Sequence, residues 1–198
     1  MRSLIRTLLA AALLSAGTAQ AGTAQAAVQV GGVAFQPALS AHKGTLTLNG
    51  AGLRTRVGFK VYAMGLYLRA PLTDAASIIG DKGEKRIRIV LTRELDARQF
   101  GDALLTGLEK NHEPTELAAL KPATDALLGA LAAVGEVKAG TEILLDQLAS
   151  GATRLMVNGQ QHGDDIGDVA FYPALLRIWL GVRPADLDLR DALLRKPL

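Results

Sequence analysis

The stretch Leu48 to Leu68 reads LNGAGLRTRVGFKVYAMGLYL, and its side-chain alternation governs how the rest of the chain is read. From Leu53 to Val61 the odd positions are mostly apolar (Leu53, Val57, Phe59, Val61), with Arg54, Arg56 and Lys60 on the other face. From Tyr62 onward the even positions become apolar: Tyr62, Met64, Leu66 and Leu68. Successive strand residues point to opposite faces, so a change of parity requires an extra residue or a bend. Gly58 and Gly65 bracket the place where that irregularity is expected. Isolated glycines in a strand pattern mark a bulge, a bend or a close approach to the backbone. The irregularity would bring the charge of Arg54 near the amphipathic ring of Tyr62, the best candidate pair for a ligand site. A straight strand at about 3.3 Å per residue would hold the two roughly 26 Å apart, so a shared head group requires a reversal or strong bend around Gly58. Just upstream, Asn49-Gly50-Ala51-Gly52 reads as a tight turn. It contains G-x-G, but no third glycine follows in place and no helix opens behind it, so a phosphate-binding loop is the weaker reading.

The N-terminus has its own pattern. Arg2 and Arg6 precede the short apolar run Leu8 to Leu14, and Ala19-Gln20-Ala21 and Ala24-Gln25-Ala26 are both A-x-A sites. This predicts a signal peptide over 1–26, with an uncleaved anchor as the alternative, and a periplasmic or secreted location. The segment AGTAQ, repeated in succession from Ala16 to Gln25, reads as a small duplication in the processed region. Removing 26 of the 198 residues leaves 172, a single domain over 27–198 large enough to bury a core. The removed part carries two arginines and no acid, so the formal charge falls from +3 to +1. With so little charge, no long basic run and few aromatics, nucleic acid is not an expected partner. No stable membrane insertion is expected after cleavage. The chain has no cysteine, which excludes disulfides, thiol nucleophiles and zinc–thiolate sites.

Elsewhere the periodicities alternate. Val28 to Phe35 predicts a Gly31-Gly32 turn and one short strand, and Leu46 and Leu48 mark another strand. A short helix over Asp74 to Ile79 would be capped by Thr73 or Asp74. Arg86 to Leu91 alternates cleanly as a half-buried strand. Asp96-Ala97-Arg98-Gln99 resembles a capping box and opens an amphipathic helix with Phe100, Leu104 and Leu108 on one stripe, ending near Asn111. Thr115 to Val134 predicts one helix broken at Pro122, or two short ones. Thr141 to His162 predicts a three-strand meander, with Ser150-Gly151 and Asn158-Gly159 at the turns. Helices over Asp168 to Leu180, ending at Gly181, and over Pro184 to Leu194 complete the chain. Strands, helices, strands and helices in that order favour α+β with an antiparallel sheet covered on one face by helices.

Catalytic constellations are sparse. His162, Asp164, Asp165 and Asp168 form a polar cluster with no helical ligand spacing, better read as a solvated loop and a helix cap. His42 lies in a polar loop, and His112 sits at a helix end, where a histidine suits the dipole. There is no G-x-S-x-G and no H-E-x-x-H. Arg54 also has a plain reading as a surface strand arginine.

At Asn49-Gly50-Ala51-Gly52-Leu53-Arg54, and again at Phe59 to Leu68, the chain resembles the chalcone isomerase family, whose plant enzymes carry a GGAGVRG turn and a KFT-x-IGVYLE strand. The resemblance continues loosely through Leu91 to Gly107 and Phe171 to Gly181 and is strongest toward the exported bacterial members. It implies an open-faced β-sandwich: a large antiparallel sheet, a layer of helices over one face and a ligand cleft between. By the same resemblance, the family's arginine after the GAG turn is Arg54. The enzymes' threonine falls on Tyr62, their tyrosine on Phe100, their asparagine on Gly107 and a late threonine on Ile178. Hydroxyls that stabilise developing charge typically contribute roughly two or more kcal/mol each, and most are absent here.

The fatty-acid-binding relatives of the same fold use an arginine and a tyrosine to hold a carboxylate above an apolar cavity. Arg54 and Tyr62 match that pair, while Phe100, Leu104 and Ile178 are apolar. The resemblance therefore implies a small lipophilic acid as ligand, held in part by a bidentate guanidinium, and no cofactor. An intramolecular lyase or isomerase using Arg54 and Tyr62, and a structural protein without ligand, are the alternatives. With Arg54 taken as unpaired in an apolar cleft, its removal is expected to leave stability unchanged or higher.

Overall fold

Tight turns at positive φ set the strand pairings. A computed structural model of the protein describes residues 26–41 and 43–195. The predicted signal peptide and His42 lie outside the described residues, apart from Ala26 at the predicted cleavage point. Strands β1 (Val28–Val30) and β2 (Val33–Phe35) form a hairpin around Gly31 and Gly32, with φ of 59° and 87°. The single strand expected here is thus two, because two such residues reverse the chain. β3 (Ala38–Ala41), β4 (Gly44–Arg56) and β5 (Phe59–Leu68) follow. Val57 and Gly58, at φ of 49° and 77°, turn β4 back into β5.

After β5 come helix α1 (Ala75–Gly80), strand β6 (Lys85–Leu91) and the short β7 (Leu95–Asp96). Asp74 caps α1 by accepting from the Ser77 amide at 2.7 Å. Helix α2 (Ala97–Asn111) opens on Asp96, whose carboxylate accepts from the Arg98 amide at 2.7 Å. Helix α3 (Pro114–Ala132) runs unbroken through Pro122, against the expected break. Pro122 and Ala118, the residue four before it, are both exposed, so water can satisfy the carbonyl that proline leaves without a donor. Then come β8 (Glu136–Val137), β9 (Glu142–Gln147), β10 (Thr153–Val157) and β11 (Gln160–Gln161), turned at Asn158-Gly159 with φ of 49° and 82°. Helix α4 (Phe171–Leu180) starts later than expected. Asp168 uses its carboxylate in the preceding turn, accepting from the Ala170 amide at 2.8 Å. Helix α5 (Leu187–Leu193) starts at an Asp186 cap rather than at Pro184.

Seven strands form one antiparallel sheet in the order β11-β10-β9-β6-β5-β4-β3. The excursion between neighbours β6 and β9 contains α2 and α3, which returns helices to one face. The alternation read from sequence sorts the core. Met64, Leu66, Ile87, Ile89, Ile143, Leu145 and Leu155 are buried on the helix face. Burying each such side chain contributes about 1.5–3 kcal/mol. The opposite face is not bare: the β1–β2 hairpin covers Ala63, Tyr67 and Leu46, with Phe35 at the centre of that second cluster. The α+β reading, with one large antiparallel sheet under helices, describes the fold, and the N-terminal hairpin adds a small cover on the other side.

The Gly50-Ala51-Gly52 segment is not a turn. It lies within β4, and the glycines admit α5: a Cβ on Gly50 would come 2.2 Å from the Ala192 carbonyl oxygen, and one on Gly52 would come 2.8 Å from Ala192 Cβ. Asn49 is an extra residue in the pairing of β4 with β5. Its buried side chain donates to the Leu72 and Leu193 carbonyls and accepts from the Leu72 amide, tying the bulge to α5.

Candidate ligand cleft between sheet and helices

The reversal at Val57-Gly58 makes Arg54 and Tyr62 direct cross-strand neighbours. The extra residue is Val61, which lies between Gly58 and Gly65 and has no partner in the pairing with β4. Below it, Phe59 and Lys60 pair with Arg56 and Thr55. Above it, the even positions from Tyr62 turn to the helix face. The odd positions at the tip do not form an apolar face, however. Val57 and Phe59 are exposed.

On the helix face, Arg54 and Tyr62 open into a cleft of about 740 Å³. Phe100 and Leu104 from α2 and Ile178 from α4 line the same cleft. All five residues singled out from the sequence therefore meet there. Tyr62 packs edge-on against Phe100, with ring centroids 6.2 Å apart and planes at 82°. Two other clefts, of about 580 and 770 Å³, lie against the Ala-rich face of α3 and around His112. Neither brings a strand arginine and a buried phenol onto an apolar wall.

The polar groups at the cleft wall are held from behind. Trp179 on α4 donates its indole N–H to Tyr62 Oη at 2.8 Å. Because the phenol oxygen accepts there, its own proton remains free to donate, and no protein acceptor faces it among the described residues. Burial pushes the Tyr62 pKa up to about 12 against the lowering effects of the Trp179 hydrogen bond and the nearby Arg54 charge. Tyr62 is thus a neutral donor at any ordinary pH and a poor base.

Arg54 is neither a free surface arginine nor unpaired. Its side chain is 22% exposed, and Nη1 lies 3.2 Å from Asp186 Oδ2 and 2.5 Å from the Thr55 carbonyl. Asp186 also accepts from the Thr55 amide at 3.1 Å and, as the cap of α5, from the Leu189 amide at 3.1 Å. Burial alone would raise its pKa, but these hydrogen bonds and the Arg54 charge hold it below the usual carboxylate range. Nε and Nη2 of Arg54 take no part in the bonds to Thr55 and Asp186, and the guanidinium also interacts with the Tyr62 hydroxyl, whose pKa it helps to lower.

Five basic side chains line the cleft (Arg54, Arg56, Arg93, Lys110, Arg183) against one acid, Asp102. A cleft so lined favours an anion. The Gly107 position, where the enzymes of the resembling family carry asparagine, is closed: a Cβ there would sit 2.6 Å from Ile178 Cγ2. Asp186 and Trp179 escaped the sequence reading as site residues, since each falls inside a predicted helix. An aspartate two residues after Pro184 and three before the buried Leu189 is the cap signal that could have marked the first. His162, Asp164, Asp165 and Asp168 do not assemble as ligands, and Asp165 instead forms a two-pronged pair with Arg154 at 2.7 Å.

The model of the chalcone isomerase-like family matches residues 27–195. The chain belongs to the chalcone isomerase-like family. Among solved structures, it is similar to a fatty-acid binding protein of Arabidopsis thaliana, with a TM-score of 0.61 and 18% identity over 83% of this chain and 92% of that one. At that identity the likeness shows the shared fold. No curated protein matches the chain by sequence. Within the chalcone isomerase-like fold, the cleft lies between the large sheet and the helix layer, where the sequence resemblance expected it.

Proposed function

We propose that the protein is an exported carrier of a fatty acid or similar lipophilic carboxylate. The carboxylate sits on the open edge of Arg54 and the Tyr62 hydroxyl, and the chain lies along Phe100, Leu104 and Ile178. The observation that carries this reading is the cross-strand pairing of Arg54 with Tyr62 on the wall of a cleft that also presents Phe100, Leu104 and Ile178. A guanidinium edge and a neutral hydroxyl supply charge-assisted bonds to a carboxylate, and the cleft volume falls within the roughly 300–1,000 Å³ of small-molecule sites. The Arabidopsis neighbour is a fatty-acid binding protein, which supports the ligand class. The apolar residues at 100, 107 and 178 favour holding a ligand over ordering water for an isomerisation. Export rests on Arg2, Arg6, the Leu8 to Leu14 run and the two A-x-A sites.

Native mass spectrometry of the protein recovered from the periplasm tests both parts. The expected result is a chain beginning after Ala21 or Ala26 that carries an acid released on denaturation. An intact chain confined to the cytoplasm would overturn export. An empty cleft with turnover of a chalcone would replace the carrier by an isomerase, and neither ligand nor turnover would leave a structural protein.

A further inference from the structure

The tip of the β4–β5 hairpin carries apolar side chains where the fold does not use them. Residues 55–60 are all exposed, with Val57 at 88% and Phe59 at 63%. Val57 holds φ 49°, a turn position that suits glycine or asparagine and strains a β-branched residue. Neither backbone preference nor burial accounts for valine there. Arg56 and Lys60 flank the pair in the chain, and the Arg93 guanidinium lies 5.8 Å from the centre of the Phe59 ring. Arg56, Val57, Phe59 and Arg93 also line the ligand cleft.

We propose that this tip docks on an anionic lipid bilayer. Val57 and Phe59 enter the interfacial layer, Arg56, Lys60 and Arg93 lie against lipid phosphates, and the cleft opens toward the membrane. Its chemistry selects a lipid surface over a protein partner. Two apolar side chains on a protruding turn fall far short of the roughly 800 Å² per partner that a stable protein interface buries. Apolar residues among cations match the interfacial zone of an anionic membrane, where each basic residue strengthens binding about fivefold. No described helix is long and apolar enough to cross a membrane, so the contact is peripheral and reversible. The docking requires no particular cargo.

The tip can be read directly. The chain has one native tryptophan, Trp179, which is 1% exposed, so a Phe59→Trp variant of the full chain adds a reporter at the tip alone. Phe59 is exposed, and the substitution leaves the core untouched. With vesicles of equal parts phosphatidylcholine and phosphatidylglycerol, the added emission should shift to the blue and be quenched by acyl-brominated lipid. Pure phosphatidylcholine should have little effect, and high salt should reverse the shift. Adding Arg56→Glu and Lys60→Glu should weaken the response more than tenfold. Emission unchanged by anionic vesicles overturns the proposal, as does an equal response in the charge-reversed variant. A shift with periplasmic protein but not with vesicles also overturns it and assigns the tip to a protein partner. Failure of fatty-acid binding would leave every one of these readings intact.

Discussion

Arg54 and Arg86 are both strand arginines beside a carboxylate, on opposite faces of one sheet. On the outer face, Arg86 uses its whole fork. Nε and Nη2 reach the two oxygens of Asp146 at 2.6 and 2.7 Å, and Nη1 reaches the Ser40 carbonyl at 3.5 Å. The hydrogen bonds that Arg86 donates to Asp146 raise its pKa despite its burial. On the inner face, Arg54 reaches both Thr55 and Asp186 through Nη1 alone. The first arrangement fastens β6 to β9. The second holds a charge in place while leaving Nε and Nη2 out of that pairing. A saturated fork is structural, and an open fork beside a hydroxyl and an apolar wall is able to bind.

The largest expected effect lies on the inner face. Arg54→Ala should weaken binding of a long-chain acid by about 2–5 kcal/mol, the cost of truncating one partner of a buried charged pair. Arg54→Lys should also weaken it, because a point charge cannot present the fork. A neutral ester should bind the two proteins alike. Calorimetric titration of both ligands measures this, and equal acid affinity in wild type and Arg54→Ala would remove Arg54 from the site. The expectation of unchanged or higher stability does not survive the structure. Arg54 is paired, so its loss should cost about 1 kcal/mol, while Asp186 keeps its bonds from Thr55 and Leu189.

The outer face should behave in the opposite way. Arg86→Ala removes the two donors bonded to a nearly buried Asp146 carboxylate, leaving it only the nearby charge of Arg154, and should destabilise the fold by about 3 kcal/mol. Acid affinity per folded molecule should not change. Urea unfolding beside the same titration distinguishes the two arginines. A loss of affinity in Arg86→Ala without loss of stability would erase the contrast drawn between them.

Alkaline titration sharpens the picture of the inner wall. Burial holds the Tyr62 pKa at about 12, above the ordinary phenol value of 10.0. A raised value means that the folded state keeps the proton longer, so Tyr62's contribution is complete below pH 10 and is lost as pH rises toward 12. A shift of that size corresponds to roughly 3 kcal/mol. Burial also raises Tyr172, so Tyr62→Phe should shrink this alkaline loss without abolishing it. Unfolding midpoints that stay flat from pH 10 to 12 would contradict the buried phenol.

The smallest effect should come from the hydroxyl as a ligand. Tyr62→Phe should reduce acid affinity by about 0.5–1.5 kcal/mol, the net worth of one hydrogen bond. Because Tyr62 stays protonated, wild-type affinity should hold steady through neutral pH and fall only as the ligand acid itself is protonated. An affinity unchanged by the substitution would leave Arg54 as the sole polar anchor.

Much of this was readable because it is local. Alternation in Arg86 to Leu91 assigns each side chain a face, whatever packs there. The parity change near Val61 required an irregularity, and Gly58 offered the chain a place to reverse. Asp96 before an amphipathic stripe announces a helix start by its own hydrogen-bonding geometry. Other features depend on partners that no local pattern names. Asp186 lies 132 residues from Arg54, and Trp179 lies 117 from Tyr62. Gly50 and Gly52 looked like a turn because glycine is permitted in turns. Only the packing of α5 reveals that the missing Cβ atoms make room for a helix. Val57 and Phe59 were assigned to an apolar face by alternation, yet alternation fixes only which residues share a side. Whether that side is covered depends on where the helices end. The sequence thus determined the faces, turns and caps, because those follow from neighbouring residues. The tertiary structure decided which donors of Arg54 remain open, because that depends on what distant segments bring to them.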